Sequence, residues 1–226
     1  MTDNPPPPPS AAPRRRVYLV DDHPLVREGL TKLIGQEPDL CVCGEAAEAG
    51  PTFDGIVAAA PDAVVIDLSL QNDSGLDLIK RLQILADPPP VLVLSMHDEA
   101  FYAERALRAG ALGYVMKRET SGKVIAALRQ VLRGEIYVSA TIASSAAEMF
   151  VRRQTSGTSP LDCLTNREIE IFRLIGLGRE NRRIAEELHV SLKTVQAHCA
   201  NIKDKLGFEN ATILMREAVK WVESHV

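Results

Sequence analysis

VYLVDDHPLVREGL, residues 17–30, carries three signals in succession: an apolar run, two carboxylates at its end, and the first turns of an amphipathic stretch. The same grammar recurs along the next hundred residues. Apolar runs stand at LCVCG (40–44), AVVID (63–67), VLVLS (91–95) and LGYVMK (112–117). Several are near-continuous Val, Leu and Ile, the pattern of strands buried on both faces. Between them lie amphipathic stretches over 24–36, 75–86, 99–109 and 121–133, with a weaker one over 48–59. Leu76, Ile79 and Leu82 recur at helical spacing, as do Val124, Ala127, Leu128 and Val131. Alternating strands and helices predict a doubly wound five-stranded parallel sheet with right-handed crossovers and helices on both faces.

The remaining sequence differs in kind. MTDNPPPPPSAAPRRR opens the chain, and its five consecutive prolines favour extended polyproline II over any packed element. Residues 1–15 are therefore expected to be a disordered tail, with the basic triplet Arg14–Arg16 as its solvated edge. Residues 16–134 hold the α/β pattern. Residues 135–160 are rich in Ser, Thr and Ala and read as a linker with one short helix near 142–153. Residues 161–226 show helical signals only, predicting a small all-α domain. Thr165 followed by Glu168 is a capping box, and Gly176 and Gly178 are expected to end the helix it starts.

Composition excludes several classes. At 226 residues the chain suits two modest domains. No apolar run reaches the roughly 18–20 residues of a membrane helix, and there is no charged-then-apolar leader, so a cytoplasmic protein is expected. Cys41, Cys43, Cys163 and Cys199 lack the spacing of a zinc or redox motif and read as small, half-buried thiols. The net charge of −4 at first opposes nucleic-acid binding, but it is unevenly placed. Residues 160–226 carry ten Lys or Arg against ten Asp or Glu, so the whole excess of acid lies before them. Within 179–206, six basic residues face four acidic ones.

In an open parallel sheet, ligands bind beyond the carboxyl ends of the strands. Asp21 and Asp22 follow the first run, Asp67 ends the third, Ser95 the fourth and Lys117 the fifth. LCVCG has no such residue and is expected at a sheet edge. Three carboxylates at one face repel one another, and a divalent cation such as Mg²⁺ resolves that repulsion. A lysine beside the ion would neutralise further negative charge, and a carboxylate can itself accept a phosphoryl group. The set points to a phospho-accepting aspartate. His23 and His97 flank it and read as loop histidines before ligands of phosphate or metal.

These segments, with VVIDLSLQNDSGLDLI, VLVLSMHDE and GYVMKRE, resemble the receiver domain of a two-component response regulator over residues 16–134. The resemblance implies a flavodoxin-like strand order 2-1-3-4-5, with Asp67 as the phosphorylation site. It implies Mg²⁺ held by Asp21, Asp22, Asp67 and the backbone carbonyl of Ser69, Asp22 being the more direct ligand of the acidic pair. Lys117 would contact a phosphoryl oxygen, while Ser95 and Tyr114 would act as the switch, Tyr114 rotating inward. Gly75 matches the family's loop glycine; Gln71 stands where many receivers have proline.

RENRRIAEELHVSLKTVQAHCANIKDKLG (179–207) reads as helix–turn–helix. Ile184, Ala185 and Leu188 form the apolar face of the first helix. Ser191 is the N-cap of the second, whose buried face carries Val195, Ile202 and Leu206. Its open face offers Lys193, Thr194, Gln196, Ala197, Ala200 and Lys203 to a major groove, Gln196 being able to read adenine. Lys193, Lys203, Lys205, Asn181 and Arg182 suit phosphate contacts. The segment resembles the LuxR-type DNA-binding domain, and the two together have the NarL/FixJ layout. The resemblance implies a sensor histidine kinase and double-stranded DNA as partners, no enzymatic turnover beyond slow loss of the protein's own phosphoryl group, and a homodimer when phosphorylated. It implies masking of helix 192–206 before phosphorylation and a dimer surface at Leu214, Ala218 and Trp221, although Trp221 could equally cap its own domain's core. His198 matches a family histidine, and Cys199 replaces a frequent arginine. Three other readings stay open: a DNA-binding regulator indifferent to phosphorylation, a phosphorelay or interaction module, and a phosphatase of the haloacid dehalogenase type. The last needs an acid two past the nucleophile, where Ser69 stands.

Overall fold

The computed structural model describes residues 13–70, 75–96, 99–140, 142–143, 160–188 and 190–223. Gln71, His97 and residues 144–153 of the expected linker helix lie outside them. The chain divides into two compact units, Met1–Met96 with Ala106–Tyr137 and His97–Arg105 with Val138–Val226. Among the described residues no helix is long and apolar enough to cross a membrane.

The first unit is built on strands β1 (Arg15–Val20), β2 (Leu40–Ala46), β3 (Ala63–Ile66), β4 (Val91–Ser95) and β5 (Gly113–Met116), all parallel in the order β2-β1-β3-β4-β5. Helices α1 (Pro24–Gly35), α2 (Ala49–Ala59), α3 (Gly75–Leu82), α4 (Glu99–Ala109), of which Ala106–Ala109 fall in this unit, and α5 (Ser121–Val131) connect and follow them. On one face Val17, Leu19, Val65, Leu92 and Leu94 pack with Leu30 and Ile34 of α1 and Leu128 and Val131 of α5. Full burial of each such side chain is worth about 1.5–3 kcal/mol. On the other face Tyr18 lies against Gly44 and Gly55, so closely that a Cβ at Gly44 would stand 2.4 Å from its ring. The strand without a polar end residue, β2, is indeed an edge.

Both ends of this unit differ from the expected boundaries. Arg15 and Arg16 belong to β1 rather than to a solvated tail, because Asp62 at the start of β3 holds them. Its carboxylate accepts the Arg16 backbone N–H at 2.7 Å and pairs with Arg15 Nη1 at 2.8 Å. At the other end, Tyr137 lies on the open edge of β5, where its carbonyl accepts the Tyr114 N–H at 3.0 Å and its N–H donates to Leu112 at 2.9 Å. An exposed strand edge leaves backbone groups unpaired, and these bonds satisfy them.

In the second unit a short 3-10 helix (Pro160–Cys163) leads into α6 (Asn166–Gly176), α7 (Asn181–Glu187), α8 (Leu192–Leu206) and α9 (Ala211–Glu223). Thr165 and Glu168 form the reciprocal capping box: the Thr165 N–H donates to Glu168 Oε2 at 2.8 Å and the Glu168 N–H to Thr165 Oγ1 at 3.3 Å. Gly178, at φ +77°, turns the chain out of α6. Gly176 has another task. It is the last helical residue, and a Cβ there would lie 2.4 Å from the Ala218 carbonyl oxygen of α9.

Candidate functional site

The polar residues at the strand ends form one row because the parallel ladder continues one step past the strands. The Asp21 N–H donates to Ala46 O at 3.1 Å, Asp67 to Val20 O at 2.8 Å and Lys117 to Ser95 O at 2.8 Å. Strand order then sets the sequence of groups across the sheet: the acidic pair after β1, Asp67 after β3, Ser95 ending β4, and Lys117 after β5. Only a long side chain can cross from β5 to β3, since neighbouring strands are about 4.8 Å apart. Lys117 does so: its Nζ lies 2.7 Å from Asp67 Oδ2 and 2.7 Å from Asp21 Oδ2, with all three side chains buried.

Burial pushes the Asp67 carboxyl above the ordinary carboxylate range, helped by the neighbouring Asp21 charge and opposed by Lys117. Burial alone would lower the Lys117 ammonium, but the Asp67 and Asp21 carboxylates outweigh it and hold the group above its usual value. Asp67 Oδ1 accepts the Ser69 N–H at 3.2 Å, and Asp21 Oδ1 accepts the His23 N–H at 2.9 Å. The Arg27 guanidinium donates to the Asp21 carbonyl at 2.5 Å. Gly75 lets the chain fold back against Asp67, for a Cβ there would meet the Asp67 carbonyl oxygen at 2.3 Å. Ser95 and Tyr114 are both buried, so Tyr114 stands inward.

One ligand atom each from Asp21, Asp22, His23 and Asp67 lies within 4.8 Å of the others. Three carboxylates against one ammonium leave two negative charges. Asp22 Oδ1 is buried and receives no hydrogen bond. The His23 Nδ1 stands 2.7 Å from it, and three carboxylates gathered against one ammonium are costly unless a cation takes up part of their charge, so the residues fit a divalent ion. His23, which the sequence reads as a loop histidine beside the acidic pair before a ligand, is the fourth member of the cluster.

In the second unit, Ser191 caps α8 by accepting the Thr194 N–H at 3.0 Å, and the two hydroxyls lie 2.7 Å apart. Val195 and Ile202 are buried, while Lys193, Thr194, Gln196, Ala197 and Ala200 are exposed and Lys203 is half-buried. Arg182 is exposed at the start of α7, and half-buried Asn181 turns its Oδ1 to Cys199 Sγ at 3.9 Å. Burial raises that thiol. A groove of about 690 Å³ runs between Asn181, Arg182, Gln196, Cys199, Ala200, Lys203 and the exposed Met215 of α9.

Two expectations are corrected here. Leu214 and Ala218, expected at a dimer surface, are buried within the unit, where α9 packs along α6. Trp221 lies against Phe172 with ring centroids 5.8 Å apart, so it caps the domain's own core. The outward side of α9 carries Met215, Arg216 and Lys220 instead. Lys205, expected on phosphate, points its ammonium at buried Glu168, with Nζ 2.7 Å from Oε2. Neither pairing can be read from helical spacing, which does not say which of two apolar or basic stripes a neighbouring helix will cover.

Fold and sites together define an α/β unit with a cluster of carboxylates around a buried lysine at the strand ends, joined in one chain to a helix–turn–helix unit. The chain belongs to the two-component response regulators: the response regulator receiver domain family matches residues 17–129, and the LuxR family of bacterial regulatory proteins matches residues 162–218. It is similar to oxygen regulatory protein NreC of Staphylococcus haemolyticus, at 33% identity over 210 residues, covering 91% of this chain and 97% of that protein. Among solved structures it resembles a LuxR-family two-component response regulator from Aurantimonas sp. SI85-9A1, at 36% identity and a TM-score of 0.56, over 61% of this chain and 99% of that one. It also resembles the response regulator ChrA of a haem-sensing two-component system, at 30% identity and a TM-score of 0.51, over 93% and 98%. The protein is thus a response regulator with a receiver and a LuxR-type DNA-binding domain.

Proposed function

We propose that Asp67 accepts a phosphoryl group from a sensor histidine kinase, and that this event controls dimerisation and sequence-specific binding to double-stranded DNA in the cytoplasm. The observation that carries the reading is the pairing of buried Asp67 with Lys117 at 2.7 Å beside the Asp21 and Asp22 carboxylates. An Asp67 oxygen attacks phosphorus, the bond from phosphorus to the kinase histidine nitrogen breaks, and the imidazole keeps that electron pair and takes a proton. Asp21, Asp22, Asp67 and the Ser69 carbonyl would hold Mg²⁺, which when bound supplies positive charge to the transferring group. Lys117, now paired with two carboxylates, is placed to exchange Asp67 for a phosphoryl oxygen. Ser95 and Tyr114 report the new charge to the rest of the unit. Slow hydrolysis of the aspartyl phosphate returns the protein to its starting state.

On the DNA side Gln196, Ala197 and Ala200 face base edges, while Lys193, Thr194, Lys203, Arg182 and Asn181 position the backbone. Lys205 is left out of the set because Glu168 engages it. A local excess of two positive charges over 179–206 is small for a DNA-binding unit, so two copies on paired half-sites are required for firm binding. The test is genome-wide footprinting of wild type beside Asp67→Asn, each with and without a small-molecule phosphodonor. Phosphodonor should strengthen protection only in the wild type. Equal protection by both proteins would make this a DNA-binding regulator indifferent to phosphorylation, and no protection by either would leave an interaction module.

A further inference from the structure

We infer that His198 is a proton-operated switch on DNA binding: a protonated ring takes the Glu168 carboxylate as its partner and releases the Lys205 ammonium to a DNA phosphate. The inference rests on the reading of α8 as the DNA-facing helix. On α8, Val195, His198, Ile202 and Lys205 recur at spacings of three, four and three residues, which puts them on one stripe. Val195 and Ile202 are fully buried, so this stripe is the side turned into the unit, where α6 packs on α8. Its polar members meet a single carboxylate there. Glu168 of α6 is buried, and its Oε2 accepts both the Thr165 N–H at 2.8 Å and the Lys205 ammonium at 2.7 Å. His198 Nδ1 is buried and has no hydrogen-bond partner. Among the described residues, the charged groups facing the ring are Glu168 and Arg167 from α6 and Lys205 from α8 itself.

A proton taken up from water leaves both ring nitrogens as donors and gives the ring a positive charge. Two cations, the imidazolium and the Lys205 ammonium, then share one buried carboxylate and repel each other. Arg167 does not compete for it, being committed to Glu170 Oε2 and to the Leu188 carbonyl, each at 2.8 Å. The imidazole sits on a short side chain between the buried Val195 and Ile202 and has nowhere to go. Lys205 does: its side chain is 37% exposed, and its long stem lets the ammonium turn out to water. Freed in the last turn of α8, two residues past Lys203 on the groove, it adds one charge that seeks phosphate. Acid therefore strengthens DNA binding while it loosens the tie between α8 and the capping box of α6.

The test uses full-length protein with a random-sequence duplex as the probe, from about pH 8 to about pH 5, the range in which a histidine changes charge, with circular dichroism confirming the fold at each point. On acidification the slope of log affinity against log salt should steepen by about one in the wild type, and it should stay constant in His198→Gln and in Lys205→Met. Nuclear magnetic resonance of the ring gives a readout that needs no DNA. The His198 midpoint should rise in Lys205→Met, where its competitor for Glu168 is gone, and fall in Glu168→Gln. A wild-type slope indifferent to pH, an equal steepening in His198→Gln, or a His198 midpoint unmoved by Lys205→Met overturns the inference. Absence of salt-sensitive DNA binding by the wild type at every pH overturns the DNA reading and the inference with it, and the ring's midpoint then shows whether the exchange at Glu168 stands by itself.

Discussion

Lys205 Nζ sits 2.7 Å from Glu168 Oε2, tying the last turn of helix α8 to the capping box that opens α6. The helix carrying the DNA-facing residues is thereby held at its C-terminal end by a cation that sequence alone assigns to DNA. Lys203, two residues earlier, has no ion pair among the described residues and faces the groove. The two lysines should therefore separate. Lys205→Met leaves buried Glu168 without its cation and should destabilise the domain by about 1–3 kcal/mol in urea unfolding. Lys203→Met should leave stability within about 0.5 kcal/mol and instead reduce the slope of log affinity against log salt by about one. Equal effects of the two on the salt slope would count against this division of labour.

The same pair makes the second unit sensitive to acid. Burial acts to raise the Glu168 carboxyl, but the bonds from Lys205 and Thr165 outweigh it and hold it below its ordinary value of 4.5. His198 is lowered from 6.5 chiefly by burial, with Glu168 opposing and Arg167 and Lys205 adding to the shift. Its Nδ1 is buried without a partner, as a neutral ring allows. For both groups the unfolded chain binds protons more readily than the folded one, so stability rises with pH. The His198 contribution is complete above about pH 6.5 and is lost as pH falls through its lowered folded value; the Glu168 contribution is lost in the same way below about pH 4.5. Urea midpoints between pH 8 and pH 4 should fall in that order, and His198→Gln should flatten the first part of the curve.

The packing of α9 on α6 gives a third test. A Cβ at Gly176 would stand 2.4 Å from the Ala218 carbonyl oxygen and 2.7 Å from Val222 Cγ2. Replacing a helical glycine by alanine ordinarily stabilises by about 0.5–1 kcal/mol. Here the backbone of α9 would have to move, an overpacking cost of about 1–3 kcal/mol, so Gly176→Ala should lower stability on balance. The chain's one tryptophan, Trp221, packs on Phe172 next to this contact, so its fluorescence should report the loss as a lower melting temperature.

The sequence carried the α/β unit well because its signals are local. Runs such as AVVID and VLVLS are apolar throughout since both sheet faces are covered, and the polar residue at each end marks the side where chemistry collects. Ser191 as N-cap and Thr165 with Glu168 as capping box are likewise short-range patterns with one geometry. What stayed hidden depends on which surfaces meet. Leu214 and Ala218 have the spacing of an apolar stripe, and nothing in that spacing says whether α6 or a second copy covers it. Gly176 resembles a helix stop, yet it is a point of close approach. His23 borders the acidic pair in sequence, but only the 2.7 Å separation from Asp22 makes it part of the cluster.

The balance of charge at the strand ends supplies the last test. The Lys117 ammonium pairs with both Asp21 and Asp67, at 2.7 Å from each, and the two carboxylate side chains are 3% and 2% exposed. Lys117→Met keeps an unbranched side chain only one atom shorter and removes the charge, leaving two buried carboxylates facing each other. Breaking one side of a buried ion pair costs about 3–5 kcal/mol, and the receiver unit should lose stability on that scale in urea without added metal. A divalent ion would then do more of the neutralising than it does in the wild type. Saturating Mg²⁺ should raise the urea midpoint of Lys117→Met by more than it raises that of the wild type, because binding to the folded state alone stabilises it by mass action. Phosphorylation separates the two roles of the lysine. If its only task were to balance the resting carboxylates, Mg²⁺ would restore both stability and phosphoryl acceptance by Asp67 from a small-molecule donor. If it also holds a phosphoryl oxygen, stability should recover while the phosphorylated state fails to bring about dimerisation, which sedimentation of the two proteins side by side would show.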